Sequence, residues 1–91
     1  MNLYMFHCGF YPGDDIYEQH KNFFVTGESL KEADKDMHDI IVREEEKGIK
    51  YHVDGVQHIK MVEGYEIKLE QVPEDHEHYG WTIIDGGLMP M

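Results

Sequence analysis

A small α+β domain is predicted, with a two-layer, mainly antiparallel sheet of order ββαββ, a further short strand near the end, and one helix on one face. Three observations predict it. Leu3, Tyr4, Met5 and Phe6 are apolar at every position, which suits a central strand covered on both faces. Leu30, Ala33, Met37, Ile40 and Ile41 recur at spacings of three and four, the stripe of an amphipathic helix. Beyond them the chain returns to β-type residues punctuated by Asp54-Gly55 and Glu63-Gly64, two hairpin signals that make a meander.

The first strand is read over 2–8. It runs into Gly9, Phe10, Tyr11, Pro12, Gly13, Asp14 and Asp15, where fixed and positive φ angles and Asp side chains favour a hairpin connection. A second strand over 17–26 is carried by Phe23, Phe24, Val25 and Thr26, residues that suit a half-buried pleated surface. Gly27 and Glu28 end it, and Ser29 with Glu32 forms a capping box that starts the helix. Lys35–Asp39 and Asp39–Arg43 are oppositely charged pairs four apart. Gly48 suits the left-handed residue that closes a helix, whereas the Glu44–Glu46 run sits at the wrong end for the helix dipole. In the meander, Tyr65, Ile67 and Leu69 alternate with Glu66, Lys68 and Glu70, so that strand is expected to have one wet and one buried face. Pro73 stops it. The domain is placed at 1–73, followed over 74–91 by a polar loop, a short strand at Trp81–Ile84 and a tail with Asp85-Gly86-Gly87.

Ninety-one residues allow one core, burying somewhat more than about 60% of the unfolded surface. The chain is 41% hydrophobic, which argues against disorder despite a formal net charge of −11. That charge repels phosphate backbones and anionic membranes and attracts basic proteins; nucleic acid and membrane are therefore not expected as partners, a local basic patch such as Lys21 near the N-terminal strands being the one exception the charge leaves open. The single Cys8 cannot pair within the chain, which fits a reducing, cytoplasmic setting. No secreted or membrane-spanning chain is expected, since no N-terminal stretch combines a basic region, an apolar run of about 7–15 residues and a small-residue cleavage site, and no run approaches roughly 20 apolar residues.

Several of these features resemble the bacterial domain of unknown function family numbered 1543. They are Leu3-Tyr4-Met5-Phe6, Gly9-Phe10-Tyr11-Pro12, Glu18-x-His20, Phe23-Phe24-Val25, and Gly27-Glu28-Ser29-Leu30 with Glu32-Ala33, joined by Asp54-Gly55 and Glu63-Gly64-Tyr65-Glu66-Ile67. The likeness covers most of residues 1–71. Cys8-Gly9-Phe10 stands where the family has a second glycine before the aromatic. Family members are about twice as long and repeat the N-terminal pattern, so the resemblance implies that a single-copy chain restores the arrangement as a homodimer. It implies no activity.

The candidate chemistry is concentrated in Glu18 and His20, two apart on a strand and therefore on one face. A turn near Gly13 and Asp14 puts His7 roughly opposite His20. A carboxylate with two imidazoles can hold a divalent metal or tune a general base; the same groups also suit a structural pair that fixes the hairpin. His76-x-His78, among Glu74, Asp75 and Glu77, offers a second and poorer metal set in an acidic loop. Cys8 and His7, as strand neighbours, point to opposite faces, so Cys8 reads as a buried structural thiol. Phosphate-loop, dinucleotide, zinc-protease and nucleophile-elbow motifs are absent.

Two functions follow from the sequence. One is a non-catalytic homodimeric interaction module that docks through Leu3, Met5 and Phe6 and presents an acidic surface to another protein, with an inhibitor of a basic toxin or nuclease as a separate reading that rests on charge alone. The other is a small-ligand or divalent-metal enzyme that uses Glu18, His20 and His7, with the Gly9–Gly13 loop shaping its pocket. No cofactor other than such a metal is expected.

Overall fold

The structure is a computed structural model that describes residues 1–13 and 16–84. Strands β1 (Asn2–Phe10), β2 (Gln19–Gly27) and β3 (His52–Ile59) form an antiparallel sheet of order β2-β1-β3. Helix α1 (Leu30–Glu46) packs mainly on β2 and secondarily on β1. The α+β class and the central position of the first strand are as its continuous apolar run requires.

Alternation along β1 sends Tyr4, Phe6 and Cys8 towards the helix. There they form the core with Val25, Ala33, Met37 and Tyr51, rimmed by Phe10, Phe23, Ile40, Ile41 and Ile49. Leu3, Met5, His7 and Gly9 take the opposite face, which no helix covers. Phe6 is thus corrected as an interface candidate: it is 1% exposed, with its ring on the helix side of the sheet. Leu3 and Met5 remain on the open face, half-buried.

The helix ends follow their local chemistry. Ser29 Oγ accepts from the Glu32 amide at 3.3 Å, the cap expected from the sequence. The reciprocal bond goes one residue further back, since Glu32 Oε2 accepts from the Glu28 amide at 3.3 Å. At the other end the Gly48 amide donates to Glu45 O and the Ile49 amide to Glu44 O, with Gly48 at φ +92°. This is a Schellman closure, and Ile49 returns to the core rim. Leu30, at 47% exposed, lies outside the buried stripe because it opens the first turn. Among the described residues neither Lys35–Asp39 nor Asp39–Arg43 forms an ion pair; Lys47 instead reaches Glu44 at 3.7 Å.

The meander is where sequence and structure part. Asp54-Gly55 makes no turn, because β3 runs straight through it along β1. Cys8 pairs with Val53 and His7 with Gly55, leaving Asp54 as an extra residue in a β-bulge. A ladder partner along the whole segment outweighs the local turn preference. Glu63-Gly64 does turn, with both φ angles positive at 51° and 85°, between β4 (Met61–Val62) and β5 (Tyr65–Glu66). The strand expected to continue to Leu69 stops at Glu66, and of its expected buried face only Ile67 is half-buried, while Tyr65 is 77% exposed and Leu69 is exposed too. These two strands pair only with each other, and an isolated two-stranded ribbon has no layer to pack against. Residues 81–84 form no strand. Asp14 and Asp15 of the first connection and the tail with Asp85-Gly86-Gly87 lie outside the described residues.

Candidate metal centre

Gly9 builds the site by having no side chain. It lies opposite His20 on β2 and opposite His52 on β3, so the two histidines flank it on the open face. Their Cα atoms are about 10 Å apart, two strand spacings, and each ring reaches Glu18 and Asp54 from its own side of the glycine. A Cβ there would strike Glu18 Oε1 and stand 2.6 Å from His52 Nε2. Glu18, just before β2, shares the face of His20 by its spacing of two. Asp54 reaches the same place from the bulge in β3, a common way to re-aim a side chain.

Four side chains converge. His20 Nε2 lies 2.9 Å from Glu18 Oε1 and 3.2 Å from Asp54 Oδ2. His52 Nε2 lies 3.2 Å from Glu18 Oε1 and 3.2 Å from Asp54 Oδ1. Each imidazole nitrogen therefore faces both carboxylates, and each carboxylate faces both imidazoles. Metal bonds of about 2.0–2.2 Å to nitrogen and oxygen set neighbouring ligand atoms about 2.9–3.5 Å apart, and all four contacts fit that range. Protons fit less well, since a single in-plane N–H on each ring must be split between two acceptors, whereas a cation bound among these atoms requires no such division.

The surroundings hold these groups without closing over them. Side-chain exposures run from 29% at Glu18 to 49% at His52, so one side is open to solvent. Tyr11 donates its hydroxyl to Glu18 Oε2 at 3.3 Å, leaving Oε1 to the histidines. The Glu18 charge, with that hydrogen bond, pushes the Tyr11 phenol above its ordinary pKa. His7 stacks on His20 with ring centroids 4.7 Å apart and planes 6° from parallel. Its Nδ1 is 2.7 Å from Asn22 Oδ1; the amide oxygen accepts, so Nδ1 carries the hydrogen. Stacked on His20 and bonded to Asn22, His7 supports the His20 ring, and its own nitrogen falls within reach of His20 and Asp54. A shallow groove of about 380 Å³, lined by Met5, His7, Gly55, Val56 and Gln57, adjoins the cluster. Beneath the sheet, burial followed by the Asp54 charge raises the Cys8 thiol pKa, and Cys8 is a buried free cysteine.

Glu18, His20 and His7 come together as the sequence suggests, although the register puts His7 opposite Asn22, diagonal to His20. His52 and Asp54 were missed. The available signal was a second acid–histidine pair at a spacing of two, His52-x-Asp54, mirroring Glu18-x-His20; reading Asp54-Gly55 as a turn concealed it. Among the described residues the metal-capable groupings are His7–His20–Asp54 and Glu18–His52–Asp54, sharing Asp54. Neither includes His76 or His78, whose rings are 6.0 Å apart; His76 Nδ1 instead accepts from the His78 amide.

Comparison with protein-family models, curated proteins and solved structures finds no match to this chain.

Proposed function

We propose that this protein binds one divalent transition-metal ion through His20, His52, Glu18 and Asp54. The observation that carries the reading is the closed ring of four nitrogen–oxygen contacts at 2.9–3.2 Å. Two neutral imidazoles and two carboxylates suit zinc, iron, nickel or manganese better than calcium or magnesium, which favour all-oxygen sets. The two carboxylates also neutralise the charge of a divalent ion. The arrangement is poorly explained by stability alone, because half-exposed ion pairs contribute only about 0–1 kcal/mol each. Structural zinc sites are closed, whereas sites that act on a ligand keep a position open; the solvent-facing side here is such a position.

Calorimetric titration of chelator-treated protein with zinc tests the reading. One ion per chain is expected, with at least tenfold weaker binding in His20→Ala and in His52→Ala and unchanged binding in the His76→Ala, His78→Ala double variant. No binding to the wild type, or full binding in a folded His20→Ala, His52→Ala double variant, would refute it.

A further inference from the structure

One ion held by His20, His52, Glu18 and Asp54 leaves His7 without a part in binding. Its Nδ1 donates to Asn22 Oδ1 at 2.7 Å, so the ring lone pair is on Nε2. Metal-binding histidines characteristically donate their other N–H to a fixed oxygen in this way, which sets tautomer and ring orientation. The cluster also divides by its own geometry. Asp54 Oδ2 is the oxygen that meets His20, whereas Oδ1 meets His52, each at 3.2 Å. A carboxylate that turns one oxygen to each of two imidazoles is arranged as a bridge. On one side of it stand His7 and His20, on the other Glu18 and His52, and in each triad with Asp54 the ligand atoms lie within 4.8 Å of one another.

We propose that this cluster takes a second divalent transition-metal ion, held by His7, His20 and Asp54, with the Asp54 carboxylate bridging it to the first ion on Glu18 and His52. The proposal deepens the four-ligand reading and rests on it: the first ion draws on all four side chains, and His20 passes to the second ion when that one enters. Paired ions of this kind sit about 3.5–4 Å apart. The four contacts of the first ion are already at 2.9–3.2 Å. The His7 triad, spread over as much as 4.8 Å, must close to the about 2.9–3.5 Å of a filled site, and the first ion gives up a ligand, so the second binds more weakly. Charge favours the pair. Two ions bring four positive charges against two carboxylates, and the surplus falls in a chain of formal net charge −11, whose field offsets the repulsion between the ions.

Equilibrium dialysis of the full chain against zinc, raised past saturation of the first site, counts the ions. Two per chain are expected, the second at least tenfold weaker than the first. His7→Ala is expected to keep the first and lose the second. Asn22→Ala, which retains every ligand, is expected to weaken the second by about 10–100-fold, and the His76→Ala, His78→Ala double variant to keep both. With manganese in place of zinc, two ions sharing a carboxylate should give a spin-coupled electron paramagnetic resonance spectrum, replaced in His7→Ala by that of a single ion. One ion per chain at every zinc concentration overturns the proposal and leaves the four-ligand reading standing, whereas no ion at all overturns both. Two ions in a folded His7→Ala, two uncoupled manganese ions, or loss of the second ion in the His76, His78 variant overturns the bridged pair. Loss of both ions in a folded His7→Ala overturns it as well, since His7 would then serve only to hold His20.

Discussion

Replacing Gly9 with Ala separates the fold from the site more cleanly than removing a ligand does. Gly9 occupies a central strand, and its backbone does not lie in the left-handed region. Alanine at a compatible site stabilises by about 0.4–1 kcal/mol through the unfolded chain. The new methyl would, however, overlap Glu18 Oε1 and approach His52 Nε2 at 2.6 Å and Cε1 at 2.8 Å. Both obstacles are ends of flexible, half-exposed side chains, so they swing aside at little cost to folding. Their displacement is about 0.5 Å or more, beyond the roughly 0.2 Å tolerance of a metal–ligand distance. At zinc equal to 100 times the wild-type Kd, binding stabilises the wild type by about 2.7 kcal/mol. In a domain of this size that corresponds to a rise in Tm of about 10–20 °C. Gly9→Ala is therefore expected to melt at or a few degrees above the wild type in chelator and to lose most of the zinc-dependent rise. Paired thermal melts with and without zinc measure both. An equal zinc shift in the two proteins would refute the steric argument, and a variant unfolded without metal would show that Gly9 serves the sheet instead.

Other consequences are simpler to state. Met37 is fully buried between α1 and the sheet, and Met37→Ala should cost about 2–4 kcal/mol, read from urea unfolding. Ser29→Ala removes the bond to the Glu32 amide and should cost about 1 kcal/mol in the same assay. Cys8 is inaccessible with its thiol pKa raised by burial, so less thiolate is present at neutral pH; a thiol reagent should label it only at the rate of unfolding. Because the Glu18 charge raises the Tyr11 phenol pKa, Glu18→Gln should lower the pH at which that tyrosine ionises, followed by ultraviolet absorbance with Tyr11→Phe as the reference.

The β1–β2–α1 portion was legible because each element carries its own instructions. The Leu3–Phe6 run, the Ser29 cap, the Ala33–Met37 stripe and Gly48 specify strand, start, packing face and stop without reference to the rest of the chain. What followed the helix was not legible, since Asp54-Gly55 and Glu63-Gly64 are equally good turn signals and only tertiary context separates them. Residues 52–59 find a full-length partner in β1, so the first signal is absorbed as a bulge; residues 61–66 find none, so the second becomes a turn. Tyr65, Ile67 and Leu69 alternate correctly for a half-buried strand, yet the ladder ends at Glu66 and, of the three, only Ile67 is half-buried.

The same competition decided what could be seen of the site. Glu18-x-His20 announces itself on one strand, but a metal centre needs ligands from a second, and their pairing depends on register. Had β3 kept an unbroken ladder, Asp54 would stand directly opposite His7. The bulge instead gives that place to Gly55 and frees Asp54 to turn towards His20 and His52. Gly9 completes the geometry by allowing side chains from two outer strands to meet over the middle one. A glycine inside a strand generally costs about 0.5–1 kcal/mol relative to alanine, and an unpaired bulge residue disrupts the ladder. Half-exposed His–carboxylate contacts contribute too little to offset both. Two local departures from an ideal sheet that converge on one cluster of nitrogen and oxygen ligands are better accounted for by what the cluster binds than by what it adds to folding.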